Sequence, residues 1–155
     1  MSALTVDIDI KASPQRAFEV FTDLDNASQN VRGIEKMELL TEGPVGIGTR
    51  FRETRIMMGK EATEDMEITE FQPGELYAHE AQSHGCHYIS TYRFDPAGEI
   101  TRVSMAFEGR ALSILSKIIS GALGWMMTGM MRKCILEDLN DLKAVAEQAV
   151  EVSQE

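Results

Sequence analysis

Leu4-Thr5-Val6-Asp7-Ile8-Asp9-Ile10-Lys11, running on into Ala12-Ser13-Pro14-Gln15-Arg16-Ala17-Phe18, is the stretch whose reading decides the fold. Its first half alternates, with Leu4, Val6, Ile8 and Ile10 on one face and Thr5, Asp7, Asp9 and Lys11 on the other. A period of two marks a strand with one buried side and one side in water. Ser13-Pro14 then breaks the period. Serine caps a first helical turn through its side-chain oxygen, and proline is tolerated at the first helical position. The helix started there carries Ala17, Phe18, Val20 and Phe21, breaks up near Asp23-Leu24-Asp25-Asn26, and leaves room for a second short helix before Gly33.

Beyond Ile34 the chain reads as a meander of strands, near 34–41, 49–58, 62–71, 75–82, 86–94 and 100–109. Pro44, Pro73 and Pro96 stand beside or near Gly43, Gly74 and Gly98, so each is expected in a turn and none inside a strand. Residues 112–149 hold no proline and read as one long helix, with Ile135, Leu139, Leu142 and Val145 at helical spacing. The order predicts an α+β fold: a curved antiparallel sheet of about seven strands wrapped around a long C-terminal helix, with two short helices after the first strand.

At 155 residues the chain suits one domain, spanning 1–155, with enough length to bury a core without disulfides or metals. Fifteen Lys+Arg against twenty-five Asp+Glu give a net charge of −10, which speaks against a nucleic-acid partner. Cys86 and Cys134 lie far apart and match no zinc or redox spacing, and the first residues show no signal peptide. A cytoplasmic location is the expectation. The charge is also uneven. From Glu61 to Tyr92 there are seven acids and no Lys or Arg, whereas Leu112 to Met131 holds no acid and one base, Lys117.

Several local phrases resemble the START-like, or SRPBCC, superfamily, and within it the polyketide cyclase/dehydrase and lipid-transport group. They are Ala12-Ser13-Pro14-Gln15-Arg16-Ala17-Phe18 entering the first helix and Gly46-Ile47-Gly48-Thr49-Arg50-Phe51 entering the third strand. Ile68-Thr69-Glu70-Phe71-Gln72-Pro73-Gly74-Glu75-Leu76 and the ending Leu139-Asn140-Asp141-Leu142-Lys143 complete the likeness. The resemblance implies a helix-grip fold with a deep apolar cavity between sheet and helix, used across the superfamily for lipids, polyketides, sterols and similar molecules.

Strand parity allows a map of that cavity. Phe51, Ile68, Ala78, Ser90 and Met105 are expected in one inward layer, and Glu53, Met66, Glu80, Tyr88 and Phe107 in the next. Arg55, Glu64, Gln82, Cys86 and Gly109 form a third, and Tyr92 with Val103 lies on the other side of the first. Against them the helix would lay Leu115, Ile118, Ile119, Leu123, Met126, Met127 and Met130. Unbranched methionines suit a surface that adapts to varied ligands, and they equally serve as core filler.

Among the inward residues, Glu53, Glu80 and Tyr88 are the candidate catalytic groups. Buried carboxylates with raised pKa values act as general acids or bases, and a phenol donates to a carbonyl or enolate oxygen. Arg55 opposite Glu64 would form a buried pair that orients a polar group. The competing reading of the same residues is a salt-bridged network at the cavity rim.

His79, His84, Cys86 and His87 resemble metal ligands, but parity scatters them over a turn and two faces, so no metal is expected. The glycine-rich run 43–48 leads into a strand and lacks the lysine of a phosphate cradle, and no cofactor motif appears. Residues 111–131 are long enough to span a bilayer, yet Lys117 inside them costs about 3 kcal/mol on insertion, so no stable membrane insertion is expected.

Three functions fit these residues: a module binding a hydrophobic small molecule, an enzyme of the cyclase/dehydratase type using Glu53, Glu80 and Tyr88, or an acidic protein-interaction module. A homodimer is compatible with each.

Overall fold

Ser13 Oγ accepts a hydrogen bond of 3.1 Å from the Arg16 backbone N–H, and Pro14 fills the first position of helix α1 (Pro14–Phe21). The expected cap and helix start are both present. The computed structural model describes residues 2–57, 59–83, 85–111 and 129–148. Strand β1 (Ser2–Ile10) precedes α1, and a 3-10 turn (Leu24–Asn26) and a short helix α2 (Ala27–Asn30) come after it. Then come β2 (Ile34–Leu39), β3 (Arg50–Met57), β4 (Lys60–Gln72), β5 (Leu76–Ser83), β6 (Cys86–Ala97) and β7 (Ile100–Ala111). Residues 129–148 are helical and form α3.

The strands make one antiparallel sheet in the order β1-β7-β6-β5-β4-β3-β2, so sequence neighbours pair and only β1 joins by a long crossover. This is the expected α+β, helix-grip arrangement. Ile135, Leu139 and Ala146 of α3 are buried in one core with Val6, Ile10, Phe18 and Val103. Phe18 closes that core from α1, with edge-on contacts to Phe71, Tyr77 and Phe94 at centroid distances of 5.1, 5.8 and 5.3 Å. Aromatic rings prefer such edge-to-face geometry, because the positive ring edge meets a negative face.

Two details depart from the expectation. Pro96 lies inside β6, paired with Thr101, and not in the turn. The Phe94 N–H donates to Glu75 O at 2.8 Å, so two residues on the Pro96 nitrogen faces the same side. The β5 pairing stops at Arg93, and no β5 carbonyl there asks for a donor. The second departure is the register around β4 and β5. Phe51 pairs with Met66, Glu53 with Glu64 and Arg55 with Ala62, two residues off the expected register but on the expected face. Between Ile68 and Glu70 a bulge intervenes, so Ile68 meets His79 and not Ala78. A bulge adds one residue to one strand and exchanges the faces of the residues beyond it. Tyr77, His79 and Ala81 therefore face inward, while Ala78, Glu80 and Gln82 face outward. The connection after Ser83 is one residue shorter than expected, with Ser83 paired to Cys86. The two differences cancel, and Tyr88, Ser90 and Tyr92 on β6 keep the expected inward face.

No described helix is long and apolar enough to cross a membrane. Most of the apolar segment 111–131, namely 112–128, lies outside the described residues.

Candidate functional site

The inner face of the sheet is the side that meets α3, and its central feature is a charged cluster. Arg55 Nη2 lies 3.0 Å from Glu53 Oε1 on its own strand and 2.7 Å from Asp138 Oδ2 on α3. The period of two places Glu53 and Arg55 on one face, and α3 brings Asp138 down onto them. The cluster is the salt-bridged network, with a partner the sequence did not indicate: Arg55 holds Asp138 and Glu53 in place of Glu64. Burial works against the Arg55 charge, but Glu53 and Asp138 outweigh it and raise the guanidinium pKa above its usual value. Burial raises the Asp138 carboxyl, and Arg55 only partly offsets this.

Beside the cluster stands a wall of rings. Tyr77 and Tyr92 stack at 4.6 Å between centroids, and His79 lies 5.9 Å from Tyr92 and 5.6 Å from Phe51. Burial pushes His79 down to about 4, so its ring is neutral near pH 7. Burial, with the charges of Asp138 and Glu53, raises Tyr92 and keeps its phenol protonated. Further along, Tyr88 and Phe107 stack at 5.5 Å. Burial, then a hydrogen bond with Cys86, pushes Tyr88 up to about 12.

Of the residues expected at the site, Phe51, Ile68 and Met105 face inward but are fully buried in packed clusters, as is Ser90 in its layer. Met66, Tyr92 and Phe107 face inward and are only partly buried, as are Glu53, Arg55, Glu64 and Tyr88. Glu80 requires correction. It is on the outer face, where His87 Nε2 lies 2.7 Å from its Oε1, and hydrogen bonds from Thr69 and His87 lower its pKa. The bulge at Ile68/Glu70 put it there. Met130 is 40% exposed, also against expectation. The buried stripe of α3 runs through Ile135, Leu139 and Ala146, and Met130 falls out of phase with it. Leu115, Ile119, Leu123, Met126 and Met127 lie outside the described residues.

Sequence reasoning missed Tyr77, His79 and Asp138. The aromatic character of Tyr77 was the available signal for the β5 facing. His79 and His87 stand on opposite faces of the sheet, and among the described residues no group of three His, Cys, Asp or Glu side chains is placed to hold a metal. On the outer face a depression of about 220 Å³ beside Asp65, Glu67, Glu80 and His87 is open to solvent and walled by charge, a poor fit for an apolar molecule.

The same architecture recurs in known proteins, and the family model for polyketide cyclase/dehydrase and lipid transport matches residues 1–147. The chain belongs to that family. Solved structures agree on the fold. A protein from Thermus thermophilus superposes with a TM-score of 0.79 at 22% identity, covering 96% of this chain and 99% of that one. The Zhui aromatase/cyclase from a Streptomyces species gives 0.77 at 18% identity, with 96% and 95% covered. A START superfamily protein from Mycobacterium smegmatis gives 0.77 at 12%, with 95% and 98% covered. No curated protein matches the sequence. Membership accounts for the strand order and the helix against the sheet as one family scaffold, while leaving the ligand to this chain's own residues.

Proposed function

We propose that the chain holds a largely apolar small molecule between the inner face of the sheet and the C-terminal helix. One observation carries the reading: Tyr88 and Phe107 stack on the inner face and stay only partly buried, beside a fully packed core. Large apolar side chains that a fold turns inward and does not bury are the usual lining of a ligand site. Tyr92 and Met66 extend the same surface. Family membership supports a ligand-binding role, since lipid transport and polyketide chemistry both handle apolar molecules.

The cyclase/dehydratase alternative has less support. Glu80 faces away, and Glu53 is engaged with Arg55. Tyr88, protonated up to about pH 12, remains the one member of that trio placed to donate a proton. Native mass spectrometry of the freshly purified protein tests the binding reading, together with displacement of a polarity-sensitive fluorescent fatty probe. A saturable site is expected, weakened about tenfold by Phe107→Ala, which removes an aromatic wall. A folded protein that takes up no apolar probe and carries no co-purifying mass would overturn it.

A further inference from the structure

We infer that the inner-face site selects ligands whose polar end is neutral, a hydroxyl or a ketone, and turns away carboxylate and phosphate ends. The inference rests on the ligand-binding reading above and names the ligand class.

Arg55 is the cation an anionic end would seek, and it is already taken. Its Nη2 touches Glu53 at 3.0 Å and Asp138 at 2.7 Å, and its Nη1 lies 3.3 Å from the second Asp138 oxygen. Glu64, directly opposite Glu53 in the β3–β4 register, adds another carboxylate to this wall. Like charges directly opposite one another destabilise a sheet, so nothing local favours the pair. Among the described residues, three carboxylates against one guanidinium leave this part of the sheet face negative, and a further anion entering it would be repelled in a partly desolvated setting.

What the site offers is neutral. Ser90 is 5% exposed and faces inward between His79 and Phe107 in the register. The Tyr92 and His79 rings stand on the same face, 5.9 Å apart between centroids. Ser90 is buried and the Tyr92 and His79 rings are partly buried, so three neutral polar groups share one inner face, where a ligand oxygen would find hydrogen-bond partners. Each can both donate and accept: a serine hydroxyl, a protonated phenol, and an imidazole that is neutral at pH 7. Their chemistry matches an alcohol or a ketone oxygen. A site built to hydrogen-bond such an oxygen discriminates strongly against ligands that leave its polar groups unpaired.

Isothermal titration of the full chain at neutral pH with decanol, decanone and decanoate, three probes sharing one apolar body, tests this directly. Decanol and decanone are expected to bind at least about tenfold more tightly than decanoate. Ser90→Ala should weaken decanol several-fold and leave decanoate unchanged. The double variant Glu53→Gln/Asp138→Asn, checked for folding by circular dichroism, frees the Arg55 charge and should narrow or reverse the preference. Decanoate binding as tightly as decanol would overturn the inference while leaving the ligand-binding reading intact. Failure of all three probes to bind would overturn both.

Discussion

Arg55 on β3 and Asp138 on α3 are 83 residues apart in sequence, and their side chains meet with Nη2 2.7 Å from Oδ2. This contact ties the C-terminal helix to the sheet through charge as well as through Leu139 and Ile135. Both partners are mostly out of water, at 21% and 25% side-chain exposure, so removing one leaves the other poorly solvated. Arg55→Met is expected to destabilise by about 2–3 kcal/mol, below the value for a fully buried pair because some solvent reaches this one. Asp138→Asn should cost less, about 1 kcal/mol, since burial already disfavours the Asp138 charge. Urea denaturation of the three proteins gives the order.

Gly33 packs under the same guanidinium. A Cβ built at Gly33 would lie 3.1 Å from Arg55 Nη1 and 3.5 Å from Asp138 Oδ1. The end of an arginine could swing aside, but this one is pinned by two carboxylates. Gly33→Ala should therefore cost about 1 kcal/mol, the low end for overpacking. In an Arg55→Met background the cost should shrink. A double-mutant cycle by denaturant titration measures that coupling, and strict additivity would show that the contact does not strain the cluster.

Acid should weaken the fold through His79. Its folded value of about 4 lies below the ordinary histidine value of 6.5, so between those pH values the unfolded chain binds the extra proton. Stability is then fully present above about 6.5 and is lost as pH falls toward about 4. Asp138 acts in the opposite sense: its raised carboxyl means that stability gains slightly as the pH falls through its folded value. His79→Phe keeps a ring against Phe51 and Tyr92 and removes the titration. Its urea midpoint against pH should be flatter between pH 7 and 4, by up to about 3 kcal/mol across the window.

The outer-face position of Glu80 has its own consequence. Glu80→Gln removes a partly exposed pair with His87, worth about 1 kcal/mol or less, and should leave binding of apolar probes unchanged. Were Glu80 a cavity carboxylate, the same variant would alter binding. Parallel titration of the wild type and Glu80→Gln with decanol decides between the two facings.

Much of this molecule is legible before any tertiary contact. The Leu4–Ile10 alternation, the Ser13-Pro14 cap and the helical spacing of Ile135, Leu139 and Leu142 depend on neighbours a few residues away. Parity alone assigns the inward residues of β3, β4, β6 and β7, even where the pairing is shifted by two, because a shift of two preserves the face. Strand β5 is not legible in this way. Leu76, Tyr77 and Ala78 are all buried, so burial on both faces blurs the alternation that would have assigned it.

The sequence alone determined the elements, their order and the scaffold, since periodicity, caps and turns are short-range matters. Tertiary structure alone decided which of His79 and Glu80 faces the helix, and that Arg55 pairs with Asp138 and not with Glu64. A period of two says that alternate residues share a face without saying which face it is. That choice comes from the hydrogen-bond register across the Ile68–Glu70 bulge and from the helix that packs against the result.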